Sequence, residues 1–265
     1  MMKEFEHTCC ILIMCRDASV NHAYISSVLF RKYWVDCPYG LILCTQTKAP
    51  KENLYDSVIT TDDTMIWGER LEIALSQIDT DYVIMCPEDS FLQSKVDTGL
   101  VQECIKFMLS ENAVAIRLKP PMHYTENYTE KFDIVPKKAV YRLCLHPTLF
   151  KTDYLRKFAA KHYSPWQYER QGSQQSREYP EKIFCVKKAV YDSVHAWSAG
   201  CWQKEAYKLL QKEAIPKNLY EYAPIYPWYK ELRDKVAMCI LKIAPETFTR
   251  IRIWQCNRSE KKLKT

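Results

Sequence analysis

The chain has 265 residues, enough for one large domain or two small ones, and is 47% hydrophobic and 13% aromatic with only 5 glycines, which excludes a disordered or low-complexity protein. Its net charge is +6, and its 32 acidic residues are interspersed with the 38 basic ones, so composition gives no basis for dedicated nucleic-acid binding. Twelve dispersed cysteines without a CxxC pair, mostly inside apolar runs, predict reduced core thiols and a cytoplasmic protein.

Cys9 to Met14 is a continuous apolar run ending at Arg16 and Asp17, which predicts a buried strand. The acidic start before it, and the shortness of the run, do not fit a secretory leader. Asn21 to Tyr33 has helical apolar spacing, and a second strand is expected at Gly40 to Cys44 after Pro38. Val58 to Thr60 predicts a strand, Glu69 to Ile78 a helix, and Asp81 to Cys86 a strongly apolar strand. A helix at Gly99 to Ser110 and a strand at Val114 to Leu118 complete an alternating α/β pattern.

Beyond Pro121 the alternation weakens. Val140 to Leu145 and Thr148 to Leu155 predict a strand leading into a short helix, and His162 to Arg177 reads as a functional loop. Lys235 to Ile243 is amphipathic, and Phe248 to Trp254 alternates apolar residues with Arg250 and Arg252 before a basic end. That segment suits either an anionic membrane surface or a C-terminal helix packed on the domain. No stretch reaches the length of a membrane span. The predicted division is a domain over 1–225 and a basic amphipathic extension over 226–265.

The most informative position is the end of the strand 81–86, where Pro87 is followed by Glu88 and Asp89. In open α/β sheets ligands bind at the carboxyl edge of the strands, and hard oxygen donors there suit Mg²⁺ or Mn²⁺ carrying nucleotide phosphates. A solvated loop or helix cap would use the same residues.

The order of several short motifs resembles the nucleotide-sugar glycosyltransferases of GT-A fold, in particular a bacterial group that builds polysaccharide and lipopolysaccharide. The resemblance rests on Arg16 and Asp17, on Lys32 to Pro38, on Trp67, Arg70 and Leu71 before Thr80 to Leu92, and on Leu145 to Leu155 and Ser164 to Ser173. It runs to about residue 215. It implies a GT-A-like, Rossmann-like mixed and mostly parallel sheet flanked by helices, with a helical C-terminal extension. The implied activity is transfer of a sugar from a nucleotide-sugar donor to a polysaccharide or lipid-linked glycan acceptor.

Carried onto this chain, the resemblance assigns Glu88 and Asp89 to the diphosphate and its Mn²⁺ or Mg²⁺. Glu88 departs from the usual aspartate. Asp17 falls where the nucleoside is read, or else caps a turn. Arg70 would contact the donor, or would pair at the surface with Glu69 or Glu72. Glu169 would be the general base of an inverting reaction, the stereochemistry favoured here; in a retaining one it would bind the acceptor. Trp166 and Tyr168 offer ring faces to acceptor sugars. His195 and Lys204 are loosely placed like residues that complete the metal shell and neutralise phosphate. His146, before Pro147, reads as a structural histidine.

Two other functions remain open at this level. A sugar nucleotidyltransferase shares the acidic site but usually has a Gly-rich phosphate loop, and Arg16 to Val20 contains no glycine. A non-catalytic glycan-binding module accounts for the aromatic residues but not for the acidic pair. The expected partners are a nucleotide-sugar, a glycan or lipid-linked acceptor, and peripheral contact of the C-terminal tail with the inner face of a membrane.

Overall fold

In the computed structural model, residues 8–50, 54–121, 125–139, 141–159, 163–244 and 247–248 are described. The first half contains β1 (Cys9–Met14), α1 (Val20–Tyr33), β2 (Gly40–Thr45), β3 (Ser57–Thr60), α2 (Trp67–Ser76) and β4 (Tyr82–Pro87). Then come β5 (Ser90–Leu92), α3 (Thr98–Ser110), β6 (Ala115–Arg117), β7 (Glu126–Asn127), β8 (Phe132–Ile134), β9 (Thr148–Lys151) and α4 (Thr152–Phe158). A helical run over 165–178 joins α5 (Pro165–Gln167), a π turn (Tyr168–Gly172) and α6 (Ser173–Gln175). The chain continues through β10 (Ile183–Val186), β11 (Ser193–His195), β12 (Trp197–Ser198), β13 (Cys201–Trp202), α7 (Lys204–Lys212) and α8 (Trp228–Ile243).

Nine strands form one sheet in the order β3-β2-β1-β4-β9-β6-β10-β8-β7. Only β9 and β8 oppose the rest, so the sheet is mixed and mostly parallel, as expected. The first four strands are parallel because their connections are crossovers that return the chain to the same edge.

Strand β1 is buried on both faces, which explains its unbroken apolar sequence. Cys9, Ile11 and Ile13 pack with Phe30 of α1 and with Ile105 and Met108 of α3. Cys10, Leu12 and Met14 pack on the opposite face with Leu71 and Leu75 of α2 and Leu155 of α4. Helices therefore cover both sides of the sheet. A smaller cluster joins the outer side of α1, through Ile25 and Leu29, to Trp202 and to Ala206 and Leu210 of α7.

The eleven described cysteines are all free, and eight are buried, consistent with their role as small apolar residues. Two expectations are corrected. Residues 141–145 form no strand; the strand in this region is β9, whose Thr148 to Lys151 pair antiparallel with β4 and β6. The segment His162 to Arg177, expected to be a loop, is helical from Pro165 onward. Pro165 stands at its first position, and Ser164 accepts from the Gln167 N–H while Gln167 accepts from the Ser164 N–H.

The segment around the expected 225/226 boundary is tied to β13: the Trp202 N–H donates to Pro224 O, and the Tyr226 N–H donates to Trp202 O. Helix α8 follows as the C-terminal extension, and residues from Thr249 onward lie outside the described residues. Among the described residues no helix is long and apolar enough to cross a membrane.

Candidate active site

The chain moves outward from β1 to β2 and β3, then returns to the other side of β1 as β4. The order reverses between β1 and β4, which opens a crevice at their carboxyl ends. Met14 is paired with Pro87, so Cys15 and Arg16 leave the sheet beside Glu88 and Asp89.

These two carboxylates, adjacent in sequence, reach different neighbours. Glu88 is hydrogen-bonded by the Ser19 side chain and lies in the field of Arg16. Asp89 is held by the Trp197 N–H, and its Oδ2 lies 3.3 Å from His195 Nδ1. Burial raises both carboxyls above their ordinary range, and the Asp89 charge raises Glu88 further. Two acids so placed store repulsion that a cation or a proton relieves.

Long-range strand pairing brings His195 to the acids. β11 runs antiparallel to β5 with His195 opposite Ser90, and the Ala196 N–H donates to Asp89 O at 2.7 Å. A tight hairpin then joins β12 to β13 through Ala199 (φ 49°) and Gly200 (φ 80°), the left-handed pair that a two-residue turn requires. Gly200 adopts that conformation at no steric cost. Desolvation lowers the His195 pKa, with Glu169 and Glu88 opposing that shift.

Glu169 faces the same space from the π turn. Its Oε1 accepts from the Leu145 N–H at 2.8 Å, while Arg170 and Arg177 donate to the carbonyls of Trp166 and Lys138. Burial raises its carboxyl above the usual range, against the pull of the Leu145 N–H, Arg117 and His195. The structure thus brings Glu88, Asp89, His195 and Glu169 to one edge of the sheet.

Three residues that sequence reading missed also stand there. The His146 ring lies edge-on to His195 at 5.8 Å and is exposed, which corrects its reading as a structural histidine. Its pKa is lowered to about 4, first by desolvation and then by His195, Lys119 and Arg117. Lys119 Nζ donates to Ser193 O at 2.5 Å. Arg16 is exposed, and its guanidinium has no hydrogen bond or ion pair among the described residues. Its place at the tip of β1, where strand order reverses, was the available signal.

The remaining expected residues are placed otherwise. Both carboxylate oxygens of Asp17 are taken: Oδ1 accepts from the Thr47 and Lys48 N–H groups, and Oδ2 from the Thr47 hydroxyl at 2.5 Å. The turn-capping reading therefore describes its contacts. Arg70 is no surface ion-pair residue: it is buried, donates to Cys15 O, and supports the β1 edge from below. Lys204 is exposed at the start of α7 with Glu231 of α8 as its charge neighbour, and makes no interaction with Glu88 or Asp89 among the described residues.

Trp166 is exposed, but Tyr168 is 0% exposed and packs edge-on against Trp67 at 5.5 Å. Its assignment to acceptor binding is corrected, because the helical turn directs it into the core between α2 and α4 while Glu169 faces the crevice. The Tyr168 hydroxyl is buried without a partner among the described residues. Tyr168→Phe is therefore expected to preserve ligand binding and raise Tm by about 2–4 °C. A thermal melt checks this, and a lower Tm would contradict it.

No protein-family model and no curated protein matches the chain. Among solved structures, that of S. aureus TarS superposes with a TM-score of 0.50 at 12% identity, covering 88% of this chain and 43% of that one. The fold is similar to that of TarS. The structure of S. aureus TarS 1-349 in complex with UDP-GlcNAc gives a TM-score of 0.48 at 13% identity, over 78% of this chain and 66% of that one. Bifunctional IspDF from Campylobacter jejuni gives 0.40 at 14% identity, over 71% and 52%. The chain thus spans less than two thirds of each of these proteins, and at such identities the likeness is one of fold alone.

The donor chemistry of the crevice fits a divalent ion in part. Among the described residues no three His, Cys, Asp or Glu side chains are arranged to hold a metal, so the set of Glu88, Asp89 and His195 is not preassembled. Glu88 is engaged by the Ser19 side chain, while Asp89 meets His195. Mg²⁺ and Mn²⁺ need only one or two protein carboxylates when phosphate and water supply the rest, and the raised acid pair meets that demand.

Proposed function

We propose that the chain is a nucleotide-sugar glycosyltransferase acting on a glycan acceptor. The observation that carries this reading is the gathering of a half-buried carboxylate pair, an arginine without an ion pair among the described residues and a third carboxylate around the crevice between β1 and β4. The fold supports it, since the similar S. aureus TarS has been crystallised with UDP-GlcNAc and with UDP.

In this reading the diphosphate lies at the tips of β1 and β4, with Arg16 and Lys119 opposing its charge. Asp89, with Glu88, would hold a divalent ion, which when bound supplies Lewis-acid stabilisation to the leaving diphosphate. Glu169 takes the proton from an acceptor hydroxyl. The hydroxyl oxygen forms its bond to the anomeric carbon as the bond from that carbon to the phosphate oxygen breaks, and the electron pair leaves with the nucleoside diphosphate. This displacement inverts the anomeric centre. The acceptor class we favour is a surface polysaccharide or lipid-linked glycan.

Calorimetric titration with UDP, GDP, CDP and CMP, with and without Mn²⁺, tests the donor half. One nucleoside diphosphate, UDP first among them, is expected to bind. Arg16→Gln is expected to weaken it about tenfold, because a charge-assisted phosphate contact contributes roughly 1.5–3 kcal/mol. Failure of the folded protein to bind any nucleotide would return the glycan-binding reading.

A further inference from the structure

Eight of the thirteen large apolar side chains exposed on the described surface lie within residues 222–243. Six are on α8: Trp228, Tyr229, Leu232, Val236, Ile240 and Ile243, between 41% and 84% exposed. At 3.6 residues per turn they fall in an arc of about 120° on one side of the helix. The other side is already used: Leu241 is buried with Phe248, and Ala237 and Met238 pack beside them. The helix therefore has one covered seam and one uncovered stripe, bordered by Arg233 and Lys235.

The charge of the chain is concentrated in the same segment. Residues 228–265 contain ten Lys and Arg and four Asp and Glu, a net +6, so residues 1–227 are neutral overall. Arg233 and Lys235 are paired within the helix to Asp234 and Glu231, leaving the surplus positive charge to the rest of the segment.

We propose that this stripe of α8 docks the protein on an anionic lipid surface. An apolar helix face with aromatics at one end, in a segment of the sequence that is net positive, matches the requirements of an interfacial helix: apolar side chains enter the headgroup boundary and the cations meet anionic headgroups. A second copy of the chain is a poorer occupant, since it carries the same net +6 in this segment of its sequence. The helix lies on such a surface and does not cross it. The inference stands apart from the reading of the carboxylate crevice and tests independently of it.

The test is cosedimentation of the full chain with vesicles of phosphatidylcholine alone and of phosphatidylcholine with phosphatidylglycerol. Anionic vesicles are expected to bind at least about tenfold more strongly, with binding reduced by salt as the Debye length shrinks. Leu232→Glu with Val236→Glu is expected to lower binding to anionic vesicles by at least about tenfold. Both positions are exposed, so Tm and nucleotide titration should not change. Absence of wild-type binding, or unchanged binding by the double variant, overturns the proposal. So does a dimer in light scattering that the double variant dissociates without any effect on vesicles, because the stripe would then belong to a second copy.

Discussion

Asp89→Asn is expected to lower kcat/KM for nucleotide-sugar turnover by about 10²–10³, the scale of losing one preorganised group that stabilises developing charge. Asparagine keeps an oxygen for the Trp197 N–H and closely matches the aspartate in shape, so the crevice survives while its charge is removed. The same change should stabilise the protein. Burial raises Asp89 and Glu88 in the folded chain, so between the unfolded and folded pKa values the native state binds more protons than the unfolded one. Stability from this source is full below the unfolded carboxyl range and is lost as pH rises through the folded pKa values. At pH 8 both acids are ionised in a setting that disfavours it, and neutralising one relieves the other. Asp89→Asn should therefore raise Tm at pH 8 and leave it nearly unchanged at pH 4. A variant with activity within threefold of wild type would remove Asp89 from the reaction, whereas lost activity with a lower Tm would indicate collapse of the site.

This opposition between activity and stability is typical of sites built for charge that arrives with the substrate. It also explains why the acid pair was legible in the sequence while its surroundings were not. β1 and β4 are runs of apolar residues long enough to demand burial on both faces, and the acids follow directly from the end of β4. Arg16 and Asp17 follow β1 in the same way. His195 has no such local signal: it reaches Asp89 because three-residue β11 pairs with β5, residues about one hundred positions apart in the chain. Short antiparallel pieces such as β11 to β13 carry too few residues for a period of two to emerge.

Around Tyr168 the sequence held a signal that composition obscured. Ser164, Pro165 and Gln167 are a helix start, with a capping serine, proline at the first position and glutamine at the third. Given a helical segment there, Tyr168 and Glu169 point about 100° apart, and here the first is turned into the core while the second faces the crevice. The polar, aromatic composition of 162–177 instead favours a loop, in which both side chains are free to meet a sugar. Asp17 illustrates a different limit: its residue type and position fit both nucleoside binding and turn capping, and only the N–H groups of Thr47 and Lys48 distinguish them.

Glu169→Gln is expected to reduce kcat by about 10²–10⁴ with little change in donor KM, the range for loss of a general base. Glutamine still offers an oxygen to the Leu145 N–H, so the backbone bond that positions the side chain is retained. The pH profile gives the sharper test. Burial raises the Glu169 carboxyl, and only its ionised form can accept the acceptor proton, so the wild-type rate should climb with pH through that raised pKa and then level off. The glutamine variant should lack this limb. His195 and His146 stand close enough to compete for the role, and desolvation at the crevice lowers both, His146 to about 4. A neutral imidazole remains proton-accepting across the same range, so a histidine base would leave the wild-type limb unchanged in Glu169→Gln. If kcat instead holds while acceptor KM rises, Glu169 binds the acceptor without taking its proton. NMR of the first turnover then decides between a histidine base, which inverts the anomeric centre, and a reaction that retains it.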